Sequence, residues 1–237
     1  DPYHLDILIG VGINIILAVS LNLVNGYTGQ FSLGHAGFMS VGAYLAAAVS
    51  LFIGPRLLGE EGGTAFQQGL MFLAALTAGG LGAALAGLAV GIPSLRLKGD
   101  YLALVTLGFG EIIRVIFQNV EVLGGALGLN GIPAYTSIFW VLAVGAVAVF
   151  TVTSLVHSTY GRGFLATHDD EVASEAVGLN TTRYKIVAFV IGAFFAGAAA
   201  ATAAATTALP VALPAAPPSV GTAPSAASGS ALTRVYG

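Results

Sequence analysis

Cysteine is absent from the 237 residues, which excludes disulfides, thiol catalysis and thiolate-bound metals. Charge is scarce too: Asp, Glu, Lys and Arg make up 8% of the chain, against roughly a quarter in a soluble domain. A water-exposed surface cannot be built from that supply. The net charge of −3 is too small to mark a nucleic-acid partner or a polybasic membrane-surface role. No positively charged segment precedes the first apolar run and no initiator methionine opens the chain, so a signal peptide is not indicated and Asp1 reads as a cut end. No nucleotide-binding loop, metal-ligand cluster or dinucleotide fingerprint occurs. The chain therefore reads as non-enzymatic and without a cofactor or metal of its own, and any energy input has to come from another subunit.

What is abundant is apolar: 56% of residues are hydrophobic and the mean hydropathy is +0.89. The apolar runs last about 20 residues, the length of a membrane-spanning helix and about twice that of a barrel strand. The expected fold is all-α, a polytopic transmembrane helical bundle. Six segments stand out, near Leu5–Val24, Phe31–Ile53, Leu70–Leu95, Leu102–Gln118, Ile138–His157 and Tyr184–Thr207. The fourth is short and interrupted by Gly108, Gly110 and Glu111, so it is expected to be broken or re-entrant. Arg96 and Lys98 follow the third segment, and Arg162, Arg183 and Lys185 lie in or beside the link between the fifth and sixth. If the fourth segment crosses, these clusters share a side, which the positive-inside rule makes cytoplasmic; Arg56 then lies outside, and so does the N-terminus.

Residues 1–207 form the expected membrane domain. From about Leu209 the chain turns to Ala, Pro, Ser and Gly, and Pro210, Pro214, Pro217, Pro218 and Pro224 forbid a regular helix. Residues 208–237 are expected to be a disordered tail, and read as a truncated or out-of-frame end.

Small residues recur at four-residue spacing. Gly79, Ala83, Gly87 and Gly91 make a stripe on the third segment; Ser32, Ala36 and Ser40, and Gly192, Ala196 and Ala200, repeat the pattern. In lipid, helices associate through close backbone approach, so these stripes and Gly37 are expected at helix contacts. In the stretch GYTGQFSLGHAGFMSVGAY, Gly26, Gly29 and Gln30 can end one helix and Ser32 can cap the next, with His35 one turn inside. His35 either lines a polar path, pairs with Gln30 or caps a packed interface. A serine hydrolase would need an orienting acid and an oxyanion motif as well, and neither accompanies Ser32 and His35. Glu111 and Arg114 share a helical face and can pair, as pathway lining or as a structural ion pair.

The link Tyr160–Lys185 is the long hydrophilic connection. Asp169, Asp170 and Glu171 place negative charge at the start of a short helix, Gly178 supplies its left-handed stop, and Asn180, Thr181 and Thr182 cap the following span. Such a helix is too short to stand alone in water, so it either docks into a partner or lies on headgroups. Asn180–Thr182 matches a glycosylation sequon by chance, given the cytoplasmic side.

Three blocks together carry a resemblance: GYTGQFSLGHAGFMSVGAY; LRLKGDYLALVTLGFGEIIRVIFQN with the nearby GLNGIP; and GRGFLATHDDEVASEAVGLNTTRYKIVAFVIGAFFAG. With their spacers they span about Leu5 to Ala200. The chain resembles the permease subunits, second type, of bacterial branched-chain amino acid ABC transporters. The resemblance implies a homologous second permease, cytoplasmic ATPase subunits that use ATP, and a periplasmic amino-acid-binding protein, all assembled at the bacterial inner membrane. It also implies that Asp169, Asp170, Glu171, Val172, Ala173, Ser174, Glu175 and Gly178 form the coupling helix that inserts into the ATPase. The sequence departs from the family pattern in three places. Val172-Ala173-Ser174 lacks the leading Glu of the usual Glu-Ala-Ala; Val122-Leu123-Gly124-Gly125 stands for Leu-Thr-Gly-Gly; and the Ala/Pro tail replaces further helices. The rivals are an ion-coupled secondary transporter without an ATPase, which would draw on the broken fourth segment, and an assembly protein without a pathway.

Overall fold

The structure, a computed structural model, describes residues 2–54, 64–94, 100–120, 129 and 137–206. Arg56, Arg96, Lys98, Val122–Gly125, the GLNGIP stretch apart from Leu129, and the 208–237 tail lie outside the described residues. Helix α1 spans Pro2–Asn22 and runs on as a π-helical turn, Leu23–Tyr27. Then come α2 His35–Phe52, α3 Ala65–Ser94, α4 Asp100–Asn119, α5 Ile138–His157, α6 Thr159–Asp169, α7 Glu171–Ala176 and α8 Thr181–Ala204. Six of these helices are long and apolar enough to cross a membrane. This chain is a multi-pass helical membrane protein.

Helix α8 is the axis of the bundle. One side packs on α2 and α3, which also pack on each other, and the other on α1, which in turn packs on α5. A helix surrounded in this way has to be thin, and its run of Ala and Gly makes it so. Burial in lipid brings little hydrophobic gain, so contact distance decides which helices associate. At the α2–α3–α8 crossing the backbones touch. A Cβ on Gly42 would lie 2.7 Å from the Gly197 carbonyl oxygen, and one on Gly79 would lie 2.7 Å from the Gly42 oxygen. Gly87 lies against Ala193, and Gly192 against Val24 and the Ser20 carbonyl of α1. Ala83, Gly87 and Gly91 are buried along α3. Phe38 and Phe189 close this side of the core edge to face, 5.3 Å between centroids.

Two expectations fail here. Helix α4 is continuous through Gly108–Glu111 rather than broken. In lipid, opening a helix leaves backbone groups unpaired at several kcal/mol each, far more than the ~1 kcal/mol that a glycine costs inside one. Nor do Ser32, Ala36 and Ser40 form one packed face. Ser32 lies in the link before α2, Ala36 is exposed, and only Ser40 is buried on the helix. Four-residue spacing implies a shared face only within one helix, and α2 begins at His35.

Candidate functional site

The link between α1 and α2 is built so that its irregular backbone stays paired. The π turn frees the Val24 carbonyl, which accepts from the Thr28 hydroxyl at 2.7 Å and the Gln30 N–H at 3.2 Å. The Asn25 side-chain oxygen accepts from the Ser32 N–H, and the Thr106 hydroxyl of α4 accepts from the Leu33 N–H at 3.2 Å. Gly29 takes φ +65°, which a side chain would strain, and a Cβ there would sit 2.9 Å from His168 Cδ2 of α6.

The polar residues of this stretch take other places than the sequence pattern gives them. Ser32 does not cap α2: its hydroxyl is buried without a partner, and Gly34 is the capping residue. The Gly34 carbonyl instead accepts from the Gly37 N–H at 3.0 Å, and no side chain caps the helix. His35 is the first residue of α2 rather than one turn inside, and it bonds Ser20 of α1, Nε2 to Oγ, at 2.8 Å, not Gln30. Gln30 is buried with neither side-chain polar atom paired. Ser20 could have been found as a polar residue in an apolar helix, but not as a partner 15 positions away. On the other side of α2, Gly37 lies against Gly110 of α4.

The Tyr160–Lys185 link contains two helices rather than one. Asp169 closes α6, where His168 Nδ1 meets it at 3.3 Å, so it does not open the short helix. Asp170 does. Its carboxylate accepts from the N–H groups of Val172 at 2.8 Å and Ala173 at 3.0 Å, which makes it a side-chain cap as well as the negative charge expected at a helix start. Gly178, at φ +92°, ends α7, and the Leu179 N–H returns to the Ser174 carbonyl. Asn180 caps α8 through the Arg183 N–H.

Side chains then fix α7 to its neighbours. Ser174 donates to the Ala166 carbonyl of α6 at 2.7 Å. Glu171 pairs with the buried Lys185 of α8 at 2.7 Å, and Thr181 donates to Glu175 at 2.8 Å. A six-residue helix cannot hold itself together, and these contacts substitute for the turns it lacks. Val172 on the helix and Val177 just past its end are left bare, 68% and 84% exposed. Beside it, Tyr160, Leu179, Asn180, Arg183, Tyr184 and Val187 line a recess of about 430 Å³.

Glu111 and Arg114 form the expected ion pair, Nη1 to Oε1 at 2.9 Å and to Oε2 at 3.3 Å. A groove of about 590 Å³ between α1 and α5 is lined by Gly12, Ile15, Leu142, Phe150 and similar groups, and carries no charge.

Fold and link together define a class: a bundle of membrane-spanning helices with one anchored, outward-facing extramembrane helix. Residues 3–223 match the family described as branched-chain amino acid transport system / permease component, and the chain belongs to that family. The match runs past residue 208, into the compositional tail. The chain is 34% identical over 222 residues to the high-affinity branched-chain amino acid transport system permease protein LivM of Salmonella typhimurium (strain LT2), covering 79% of this chain and 49% of that protein. The figures are the same for LivM of Escherichia coli (strain K12). A probable branched-chain amino acid transport permease protein LivM of Methanocaldococcus jannaschii is 26% identical over 226 residues, 81% of this chain and 64% of that protein. The chain thus spans about half the length of the two bacterial relatives. No solved structure matches it.

Proposed function

We propose that the chain is the permease subunit of an ATP-driven importer of branched-chain or related small amino acids, in the bacterial inner membrane. It works beside a homologous second permease, with cytoplasmic ATPase subunits and a periplasmic amino-acid-binding protein. ATP is bound and hydrolysed by the ATPase subunits; this chain contributes no catalytic residue. The observation that carries the reading is α7, a capped and side-chain-anchored helix with two bare valines, in a chain of the permease family.

Closure of the ATPases would push on α7. Because Ser174, Glu171 and Glu175 tie α7 to α6 and α8, the push moves those helices with it. Helix α6 touches the α1–α2 link at Gly29, and α8 runs through the centre of the bundle, so both routes lead inward. Glycine crossings let packed helices exchange between two discrete arrangements, which is what alternating access requires. The rival of an ion-coupled secondary transporter loses the broken fourth segment on which it drew, because α4 is continuous.

The test is uptake of radiolabelled leucine into proteoliposomes holding the chain with its partner permease, ATPases and binding protein. Uptake that requires ATP and the binding protein supports the reading. Uptake driven by an ion gradient alone refutes it.

A further inference from the structure

We propose that the exposed face of α4, centred on Glu111 and Arg114, lines the transport pathway and binds the two charged groups of an α-amino acid. This rests on the reading of the chain as an amino-acid importer and names the site within it.

Position comes first. Glu111 lies eleven residues into α4, about 17 Å along a helix, which is near the middle of a ~30 Å hydrocarbon layer. Among the described spans the other Asp, Glu, Lys and Arg residues (Asp6, Asp100, Arg183 and Lys185) all fall near helix starts. Glu111 and Arg114 alone sit at mid-span. Helix α4 is also the most amphipathic of the six long helices, whereas α3 exposes mostly apolar groups (Phe66, Leu70, Leu81, Leu85, Leu88 and Ile92) and no charged one.

Exposure comes second. The Glu111 side chain is 59% exposed and Arg114 20%. A carboxylate facing lipid at that depth is costly, so such a group faces protein or water. A helix covering the face would be expected to bring a donor and to need tight packing. The surface is instead notched: a Cβ on Gly108, one turn from Glu111, would meet nothing within 4 Å. Leu104, Leu107, Ile112 and Val115, all exposed, rim the notch with the aliphatic surface that a small apolar side chain would contact.

Chemistry comes third. The pair offers an anion and a cation one helical turn apart, complementary to an ammonium and a carboxylate on one carbon. A single guanidinium nitrogen, Nη1, holds both Glu111 oxygens, and Arg114 Nε is buried without a partner, so the pairing leaves hydrogen-bonding capacity unused. Site and ligand are each neutral overall, so binding exchanges partners without bringing net charge into the membrane.

The absence of cysteine makes the test direct. Leu104→Cys, Leu107→Cys, Glu111→Cys and Val115→Cys are made singly, with Leu85→Cys as a lipid-facing control and Phe109→Cys as a core-facing one. Each is assembled with its partners in membranes and exposed to a charged, membrane-impermeant thiosulfonate, with and without leucine and bound nucleotide. The expected result is labelling at the four α4 positions and not at the controls, slowed at least fivefold by leucine at position 107 but not at 111, where the cysteine replaces the carboxylate that binds the ligand. Labelling of the α4 positions only by a lipid-soluble maleimide would overturn the proposal, as would labelling by neither reagent, the mark of a helix-covered face. Aqueous labelling that leucine leaves unchanged at position 107 would also overturn it, since the face would then be wet without binding substrate. Glu111→Gln provides an uptake readout: leucine KM should rise at least tenfold with assembly intact. Leucine uptake by the parent assembly separates the two readings. If the parent transports and the labelling fails, only this inference falls; if the parent does not transport, the proposed function falls first.

Discussion

Adding one methyl group at Gly42 tests the packing account with the least ambiguity. In Gly42→Ala the new Cβ would lie 2.7 Å from the Gly197 carbonyl oxygen and 2.9 Å from its carbonyl carbon, with the Gly197 Cα closer still. These are backbone atoms, so no rotamer change relieves them. Ordinary contact requires about 3.5–4.0 Å, so α2 and α8 have to part by about 1 Å. Overpacking of this kind costs about 1–3 kcal/mol. Gly197→Ala should cost at least as much, because its Cβ strikes two residues of α3, Ala83 and Gly79, lying 2.6 Å from the Gly79 oxygen. The double variant should depart from the sum, since the two substituted residues are in contact. Gly10→Ala is the control: nothing lies within 4 Å of its Cβ, and helix propensity favours alanine by about 1 kcal/mol. The assay is the thermal unfolding midpoint in detergent, for all four variants at one protein concentration. The expected order is Gly10→Ala at or above the parent, then Gly42→Ala, with Gly197→Ala at or below it. A Gly42→Ala midpoint equal to that of Gly10→Ala would refute the argument that backbone contact holds this crossing.

Other consequences follow from the link regions. Asp170→Ala removes the acceptor for the Val172 and Ala173 N–H groups and should loosen α7 by about 1 kcal/mol, or roughly fivefold faster amide exchange over residues 171–176. Lys185→Met leaves Glu171 partly buried without its cation; since Glu171 keeps 24% exposure, the loss should be about 2 kcal/mol, below the range for fully buried pairs. Adding Glu171→Gln should restore at least half of that loss in thermal stability. Gly29→Ala forces a side chain into the left-handed region and against His168, a strain of about 1–2 kcal/mol. If that contact carries motion inward, the assembled variant will hydrolyse ATP with less leucine imported per turnover.

Local rules read well wherever one stretch of chain contains both partners. Apolar length alone marked the six spans. The Asp170 cap, the Gly178 stop, the Asn180 cap and the Glu111–Arg114 pair each depend on residues within four positions of one another, and all appear as geometry. What depended on a second helix was hidden. Gly79, on the four-residue stripe, lies on the Gly42 backbone, but neither Gly42 nor its contact Gly197 belongs to any stripe; their importance lies in which helix crosses there. The partner of His35 is Ser20, the link N–H groups go to Asn25 and Thr106, and Gly34 rather than Ser32 stands at the start of α2. The glycines of α4 look like breaks in a one-dimensional pattern. In three dimensions the Gly110 backbone is what Gly37 packs against, a Cβ on Gly37 lying 2.9 Å from its Cα, and the helix runs on. Asp169 was assigned to the wrong helix because α6, short and polar, reads as part of one hydrophilic link.

The account turns on whether α7 is the surface that another subunit grips. The most direct measurement is affinity recovery of the cytoplasmic ATPase with the tagged chain and its partner permease, for the parent and for Val172→Asp/Val177→Asp. These two valines, one on α7 and one just past its end, are bare and hold nothing inside the bundle, so the variant should insert and fold as the parent does. The account predicts that the parent recovers the ATPase and that the variant loses at least nine-tenths of it, with the partner permease still bound. Equal recovery by both would contradict it.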